Sequence, residues 1–135
     1  MELVLVATDA DEVFDSVDAA LGSSSVDVER VRQGREVRQS VIDIEPDLVV
    51  IDLQIGSMGG VAATLDLRNE ESGERLDPQQ VLLLLDRAAD VYIAQQSGAD
   101  GWLIKPLDPA RLQQAAAAVA GGGTWFEGST STAAV

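Results

Sequence analysis

The apolar residues of this chain change their spacing several times along its length. Short apolar runs, which are typical of strands buried in a parallel sheet, recur between stretches of helical spacing. These runs cover residues 3–7, 26–31, 48–51, 81–85 and 102–104. The run at 26–31 is the weakest, because it alternates instead of being continuous. The pattern predicts five strands alternating with five helices.

The stretches between the strands carry helix signals. The predicted helices cover residues 9–21, 34–44, 61–69, 90–97 and 109–120, and residues 70–80 are predicted to be a loop. Asp108 is a typical N-cap for the last helix, with Pro109 in its first turn. Its alanine run, 115–118, either packs closely or only favours helix formation. Strands and helices that alternate predict an α/β fold, with a doubly wound parallel sheet covered by helices on both faces.

The length of 135 residues suits one domain. We assign residues 1–120 to that domain and residues 121–135 to a linker-like tail. Trp125 and Phe126 lie in this tail, and we expect them to dock on the surface. The last seven residues, 129–135, have the composition of a loose tail.

Composition excludes several classes of function. Lys+Arg is 9 against Asp+Glu 23, a formal net charge of -14, which argues against binding to nucleic-acid phosphates or to an anionic membrane. The chain has no cysteine and no histidine, so a disulfide framework, the usual zinc sites and Ser-His-Asp or Cys-His catalysis are excluded. Without a signal peptide or an apolar run of membrane-spanning length, we expect a cytoplasmic protein.

Charged residues follow three of the predicted strands. Asp9 comes after the first strand, Asp52 after the third, and Lys105, the single lysine, after the fifth. In parallel sheets, ligands bind beyond the carboxyl ends of the strands. Carboxylates suit Mg²⁺, an ammonium group suits a phosphoryl oxygen, and a carboxylate can accept a phosphoryl group. Asp9 and Asp52 could instead cap the elements that follow, but the three groups together favour a site.

Three further stretches carry a family resemblance. They are residues 46–53, 55–60 and 98–107, which read PDLVVIDL, IGSMGG and GADGWLIKPL. With Asp9, they resemble the receiver domain of bacterial two-component response regulators over about residues 2–120. The resemblance implies the flavodoxin-like strand order 2-1-3-4-5.

The resemblance also implies a chemistry. Asp52 would accept a phosphoryl group from a histidine kinase or a phosphotransfer protein, assisted by Lys105 and Mg²⁺. The implied metal ligands are Asp9, Asp52 and the backbone carbonyl of Gln54. The peptide bond between Lys105 and Pro106 is usually cis in relatives. Such a domain is not an enzyme beyond self-phosphotransfer and autodephosphorylation.

Partners follow from the same resemblance. They are the kinase or phosphotransfer protein, a downstream protein, and a second copy bound through the fourth helix, fifth strand and fifth helix. Direct contact with nucleic acid or membrane is not expected. Residues 121–127 resemble the linker to a helix-turn-helix output domain, and no such domain follows in this sequence. The chain is therefore either a stand-alone receiver or a fragment.

Four positions depart from the family pattern: Thr8, Gly56, Leu85 and Asp86. Thr8 replaces the first of two adjacent acids, so the metal site loses a negative charge and is expected to be weak. Asp11 and Glu12 are the candidates to replace that acid, and both lie at the start of a predicted helix. Gly56 replaces a proline, which gives the loop more conformational freedom.

The other two departures affect the switch between signalling states. Leu85 replaces the hydroxyl residue that bonds the phosphoryl oxygen, and Asp86 replaces a small residue. Trp102 fills the aromatic switch position, but its hydroxyl partner is absent. Two interpretations of Asp86 stay open: it points to solvent, which we favour, or it pairs with Lys105 and mimics an occupied site.

Two alternative functions remain. The first is a pseudo-receiver, an interaction module that works without phosphorylation, which the departures at Thr8, Leu85 and Asp86 favour. The second is a haloacid-dehalogenase-type phosphohydrolase, since Asp9 and Asp11 fit its DxDxV pattern with a nucleophile followed by an acid/base. A five-residue match in an acidic protein makes this a distant alternative.

Overall fold

The structure is a computed structural model that describes residues 1–128. Its strands are β1 (Leu3–Ala7), β2 (Asp27–Val31), β3 (Leu48–Asp52), β4 (Val81–Leu85), β5 (Gly101–Ile104) and β6 (Trp125–Phe126). They form one parallel sheet in the order β2-β1-β3-β4-β5-β6. The predicted fold class and the order 2-1-3-4-5 are confirmed. The predicted number of five strands is wrong, because a sixth strand pairs with β5.

Five α-helices connect the strands. They are α1 (Asp11–Leu21), α2 (Val37–Ile44), α3 (Gly60–Ser72), α4 (Val91–Gln95) and α5 (Pro109–Ala120), and single 3-10 turns precede α2 and α4. Asp108 caps α5 as predicted, its carboxylate accepting from the backbone N–H of Arg111 at 2.9 Å. Within residues 1–128 no helix has both the length and the apolar character that crossing a membrane requires.

Helix α3 extends beyond its predicted end at residue 69. The loop predicted from residue 70 begins only after Ser72. Arg68 and Glu71 form an ion pair of 2.9 Å one helical turn apart, which stabilises the last turn. This polar turn has too few apolar residues to show helical spacing in the sequence.

The sheet separates two apolar layers, because successive side chains of a strand point to opposite faces. On one face the strands pack against α2, α3 and α4, and on the other against α1 and α5. Ala115 and Ala116 in α5 are fully buried and pack closely, whereas Ala117 is exposed and Ala118 half-buried, so only the first half of the alanine run is a packing face. The two layers hold the helices against the sheet. Because the strands are parallel, their carboxyl ends all lie at the same edge of it.

Strand β6 comes from the segment predicted to be a linker-like tail. Trp125 pairs with Gly101, and Phe126 pairs with Trp102. A Cβ on Gly101 would lie 2.6 Å from the Trp125 carbonyl oxygen, so this close approach requires glycine. The expectation that Trp125 and Phe126 dock on the protein is confirmed. The predicted loose tail, residues 129–135, lies outside the described residues.

Candidate functional site

Asp52 is buried at the carboxyl end of β3, where its side chain is 3% exposed. Its Oδ2 accepts a hydrogen bond of 2.8 Å from the Thr8 hydroxyl. Its Oδ1 accepts from Lys105 Nζ at 3.1 Å and from the backbone N–H of Gln54 at 3.3 Å. These three donors replace the water that the carboxylate loses on burial.

Lys105 bridges two carboxylates. Its Nζ lies 3.1 Å from Asp52 Oδ1 and 2.7 Å from Asp86 Oδ1. Burial by itself would lower the pKa of Lys105, but the hydrogen bond to Asp86 and the charge of Asp52 outweigh it and raise the pKa above its usual value. Lys105 is therefore a charged ammonium group at neutral pH. The peptide bond to Pro106 is cis, as predicted.

The expectation that Asp86 points to solvent is wrong. Its side chain is 43% exposed, yet its carboxylate forms the shorter of the two ion pairs of Lys105. Strands β4 and β5 are neighbours, so the residues that follow them are brought together. Asp86 thus forms the pair with Lys105 that the alternative interpretation expects, and its role as a mimic of an occupied site stays a prediction.

Thr8 and Gly56 make contacts that the family's usual residues could not make. The Thr8 hydroxyl donates to Asp52, where an acid would present a negative charge. The backbone N–H of Gly56 donates to Asp9 Oδ2 at 3.0 Å. A proline at position 56 has no N–H to donate. Gly56 therefore gives the loop conformational freedom and also anchors it to Asp9 through its backbone N–H.

Asp11, one candidate for a replacement acid, lies against β2. Its carboxylate pairs with Arg30 at 2.9 Å and with Arg32 at 3.1 Å. The hydrogen bonds from Arg30 and Arg32 hold the pKa of Asp11 below its usual range. The side chain is 75% exposed, and these partners are arginines of the β2 side, not groups of the Asp52 site. The acid lost at Thr8 is thus not replaced by Asp11 in this arrangement.

The oxygen donors of the site fit Mg²⁺ in kind. The predicted ligands, the carboxylates of Asp9 and Asp52 and the backbone carbonyl of Gln54, would be the hard oxygen ligands that Mg²⁺ prefers. Within residues 1–128, however, no cluster of three or more acidic side chains is placed to hold a metal ion. Both oxygens of Asp52 and one of Asp9 already accept hydrogen bonds from the protein.

Leu85 and Trp102, two of the three switch positions, are buried and have different surroundings. Leu85 is fully buried in the core and has no polar group to offer. Trp102 is 4% exposed, its indole N–H donates to the Glu127 carbonyl at 2.9 Å, and its ring lies 4.5 Å from that of Phe126. The indole is thus held by the segment after α5. Sequence reasoning missed Glu127 because it assigned this segment to a linker.

Helix α3 begins directly beside Asp52. A Cβ on Gly60 would lie 2.8 Å from the Leu53 Cα and 2.9 Å from the Asp52 carbonyl oxygen. Residue 60 must therefore be glycine for the helix to start this close to the strand end. On Gly59, by contrast, a Cβ would meet nothing within 4 Å.

Comparison with known proteins identifies the family. Residues 4–117 match the response regulator receiver domain. The chain is 28% identical over 108 residues to the DNA-binding dual master transcriptional regulator RpaA of Synechocystis, a match covering 80% of this chain and 44% of RpaA. It is 28% identical over 109 residues to the DNA-binding response regulator MtrA of Mycobacterium tuberculosis, which covers 81% of this chain and 46% of MtrA. The chain thus spans about half the length of these relatives.

Solved structures agree with this assignment. A signal receiver domain assigned to NarL of Mycobacterium tuberculosis superposes with a TM-score of 0.73 at 30% identity, covering 89% of this chain and 96% of that one. The chemotaxis response regulator CheY4 of Vibrio cholerae superposes with a TM-score of 0.76 at 23% identity, covering 88% and 98%. Because the family match spans most of the chain and the fold agrees, this chain belongs to the receiver domain family of two-component response regulators.

Proposed function

We propose that Asp52 is the phosphoacceptor of this receiver and that Asp86 lowers its reactivity. The observation that carries the proposal is the bridge in which Lys105 Nζ contacts Asp52 and Asp86 at 3.1 and 2.7 Å. The donor would be the phosphohistidine of a histidine kinase or a phosphotransfer protein. A downstream protein would read the result, and pairing of two copies through α4, β5 and α5 stays a prediction.

The transfer step needs a carboxylate nucleophile with a compensating charge nearby. An oxygen of Asp52 forms a bond to phosphorus as the phosphorus–nitrogen bond of the phosphohistidine breaks, and the electron pair of that bond stays on the imidazole nitrogen. The product is an acyl phosphate on Asp52. Lys105 stabilises the negative charge on the phosphoryl oxygens as a point charge.

Asp86 opposes this step in two ways. Its carboxylate accepts a hydrogen bond from the Lys105 ammonium group, which would otherwise bind a phosphoryl oxygen. It also places a second negative charge at the entrance to Asp52, which repels an anionic phosphoryl group. We therefore expect phosphorylation to require that the pair between Asp86 and Lys105 opens first.

Receiver domains generally bind Mg²⁺ for phosphorylation, and here we propose that the metal site is weak. Asp9, Asp52 and the Gln54 carbonyl would hold the ion, which would supply positive charge beside the phosphoryl oxygens. Thr8 donates a hydrogen bond to Asp52 instead of adding a third negative charge. Fewer charged ligands lower the affinity of a site for a divalent cation.

A second candidate is a receiver that works without phosphorylation. The observation that favours it is the same bridge, since Asp86 places a carboxylate on Lys105 where a phosphoryl group would lie. Leu85 adds to it, because its buried side chain cannot bond a phosphoryl oxygen. In this case Asp52, Lys105 and Asp86 would have a structural role.

Intact-mass measurement with Mg²⁺ and a small phosphodonor separates the two candidates. We expect wild type to gain one phosphate slowly, and Asp52→Asn to gain none. Asp86→Ala should react about tenfold faster, which corresponds to ~1.4 kcal/mol of the barrier. Asp86→Asn keeps the shape of the side chain without its charge, so an equal gain in rate would assign the effect to charge.

Two results would contradict the phosphoacceptor proposal. One is a phosphate on Asp52→Asn at the rate seen for wild type. The other is a lack of modification in both wild type and Asp86→Ala while both are folded, which would leave the second candidate.

A further inference from the structure

Arg30 is a charged residue of β2 whose side chain is mostly buried. It is 13% exposed, whereas the side chain of Arg32, two residues further along the chain, is 62% exposed. Nη2 of Arg30 is buried and has no hydrogen-bond partner within residues 1–128. Burying a charged group costs free energy unless its contacts compensate, and a buried donor without a partner calls for an explanation. The contacts of Arg30 supply one.

The guanidinium group of Arg30 connects the end of β1 to the start of α1. Its Nε donates to the backbone carbonyl of Thr8 at 3.1 Å, and its Nη1 donates to Asp11 Oδ1 at 2.9 Å. Its Cζ lies 5.1 Å from the centre of the Phe14 ring, a distance at which a cation is attracted to an aromatic ring. Thr8 directly follows β1, and Asp11 and Phe14 belong to α1. Arg30 therefore fixes the loop between these two elements.

Thr8 connects this loop to the carboxylate of Asp52. Its backbone N–H donates to the Val31 carbonyl at 3.1 Å, so β2 holds both backbone polar groups of Thr8. Its hydroxyl donates to Asp52 Oδ2 at 2.8 Å and accepts from the backbone N–H of Ala10 at 3.1 Å. Arg30 thus reaches Asp52 through one residue, which is fully buried.

We propose that Arg30 is a positioning residue of the Asp52 site and that it acts through Thr8. The guanidinium fixes the Thr8 carbonyl, and the Thr8 hydroxyl then holds Oδ2 of Asp52 in place. Oδ1 of Asp52 is held separately by Lys105. A nucleophile that is held in one orientation reacts faster than one that is free to turn, because the cost of ordering it is met before the reaction.

The effect of Arg30 on phosphotransfer rests on the proposed function of Asp52, but its hold on Thr8 does not. The backbone N–H of Ala10 reports this hold without any phosphate, because it donates to the Thr8 hydroxyl oxygen. If the hydroxyl loses its fixed position, this hydrogen bond opens more often and the Ala10 amide exchanges faster.

Variants of the full chain test the role of Arg30. Arg30→Met removes the guanidinium group but keeps an unbranched side chain that can lie against Phe14. Arg32→Met is the matched control, because Arg32 pairs with the same carboxylate of Asp11, at 3.1 Å. Of these two arginines, only Arg30 bonds to Thr8. Far-UV circular dichroism checks the fold; if Arg30→Met is unfolded, Arg30→Lys takes its place, since it lacks the planar fork that bonds two partners at once.

Hydrogen exchange measures the hold on Thr8, and intact mass measures phosphorylation by a small phosphodonor with Mg²⁺. We expect the Ala10 amide to exchange about tenfold faster in Arg30→Met and at the wild-type rate in Arg32→Met. Asp52 should gain phosphate about tenfold more slowly in Arg30→Met, and at the wild-type rate in Arg32→Met.

A double variant separates positioning from a general structural effect. Thr8→Val removes the hydroxyl through which Arg30 is proposed to act. Adding Arg30→Met to Thr8→Val should therefore slow phosphorylation no further, whereas two independent effects would multiply.

Two outcomes would overturn the proposal. The first is equal exchange of the Ala10 amide in wild type and Arg30→Met, which would show that Arg30 does not hold Thr8. The second is an equal slowing by Arg30→Met with and without the Thr8 hydroxyl, which would show that Arg30 acts by another route. If wild type itself gains no phosphate, the proposed function of Asp52 fails, and exchange of the Ala10 amide alone decides whether Arg30 positions Thr8.

Discussion

Lys105 lies nearer to Asp86 than to Asp52, with Nζ–Oδ1 distances of 2.7 and 3.1 Å. The shorter contact is the more exposed one, because the Asp86 side chain is 43% exposed and that of Asp52 only 3%. We therefore expect the shorter contact, with Asp86, to contribute less to stability than the longer one with Asp52. An exposed pair is weakened by water and salt, whereas a buried carboxylate depends on its counter-charge.

Stability measurements should reveal this difference. Lys105→Met should lower the free energy of unfolding by about 2–4 kcal/mol, because Asp52 would stay buried without its counter-charge. Asp86→Ala should change it by less than about 1 kcal/mol, as expected of an exposed pair. Urea unfolding of the two variants measures both effects.

The double variant Lys105→Met/Asp52→Asn is the control for that prediction. Removing the charge of Asp52 should recover much of the stability lost in Lys105→Met. If the double variant is as unstable as the sum of the single variants, Lys105 acts through packing and not through its pair with Asp52.

Restoring an acid at position 8 should strengthen the response to Mg²⁺. Thr8 is fully buried and donates to Asp52, so Thr8→Asp would set two carboxylates against each other. We expect a lower melting temperature without Mg²⁺ and a larger rise on adding Mg²⁺ than wild type shows. Thermal unfolding with and without the ion measures this.

Thr8→Val is the control, because it removes the hydrogen bond to Asp52 without adding a charge. It should lower the free energy of unfolding by about 1–2 kcal/mol, since Asp52 loses a donor, but it should not respond to Mg²⁺ more strongly than wild type. An equal response to Mg²⁺ in Thr8→Asp and Thr8→Val would argue against a metal site at Asp9 and Asp52.

Gly60 should not tolerate alanine. Gly60→Ala would place a Cβ 2.8 Å from the Leu53 Cα, so α3 would have to shift away from Asp52. We expect the free energy of unfolding to fall by about 1–3 kcal/mol, the usual cost of overpacking. Denaturant unfolding of wild type and Gly60→Ala measures this, and an unchanged stability would contradict the close approach.

Acid should weaken the contacts of the Glu127 carboxylate with Arg111 and with the Ile104 backbone N–H on β5. Burial tends to raise the pKa of Glu127, but the hydrogen bonds from Arg111, Ile104 and Trp125, together with the charge of Arg111, lower it below the ordinary value of 4.5. A lowered pKa in the folded state means that the contribution to stability is present above pH 4.5 and is lost as pH falls through the folded-state pKa.

The difference in unfolding free energy between wild type and Glu127→Gln isolates this contribution. It should be constant above pH 4.5 and should shrink below it, as Glu127 becomes protonated in wild type. Urea unfolding of the two proteins across this range measures the difference. A difference that is independent of pH would show that the charge of Glu127 does not contribute to the stability of the fold.

Much of the site could be predicted because it depends on topology. Once the order of the strands is known, residues that follow neighbouring strands must lie close together, and Asp52 and Lys105 do so. The direction of a single side chain could not be predicted in this way. Asp86 was expected in solvent and pairs with Lys105, and Asp11 has its partners on β2. Both orientations depend on residues that are distant in the sequence.

The sequence by itself determined the alternation of strands and helices, the parallel sheet and the strand ends that carry charge. These features follow from local spacing of apolar residues, which reports burial directly. Only the tertiary structure decided that Trp125 and Phe126 form a sixth strand and that Glu127 closes the β5 edge. The physical reason is that a two-residue strand has no period to detect, and it is stabilised entirely by partners that the fold brings to it.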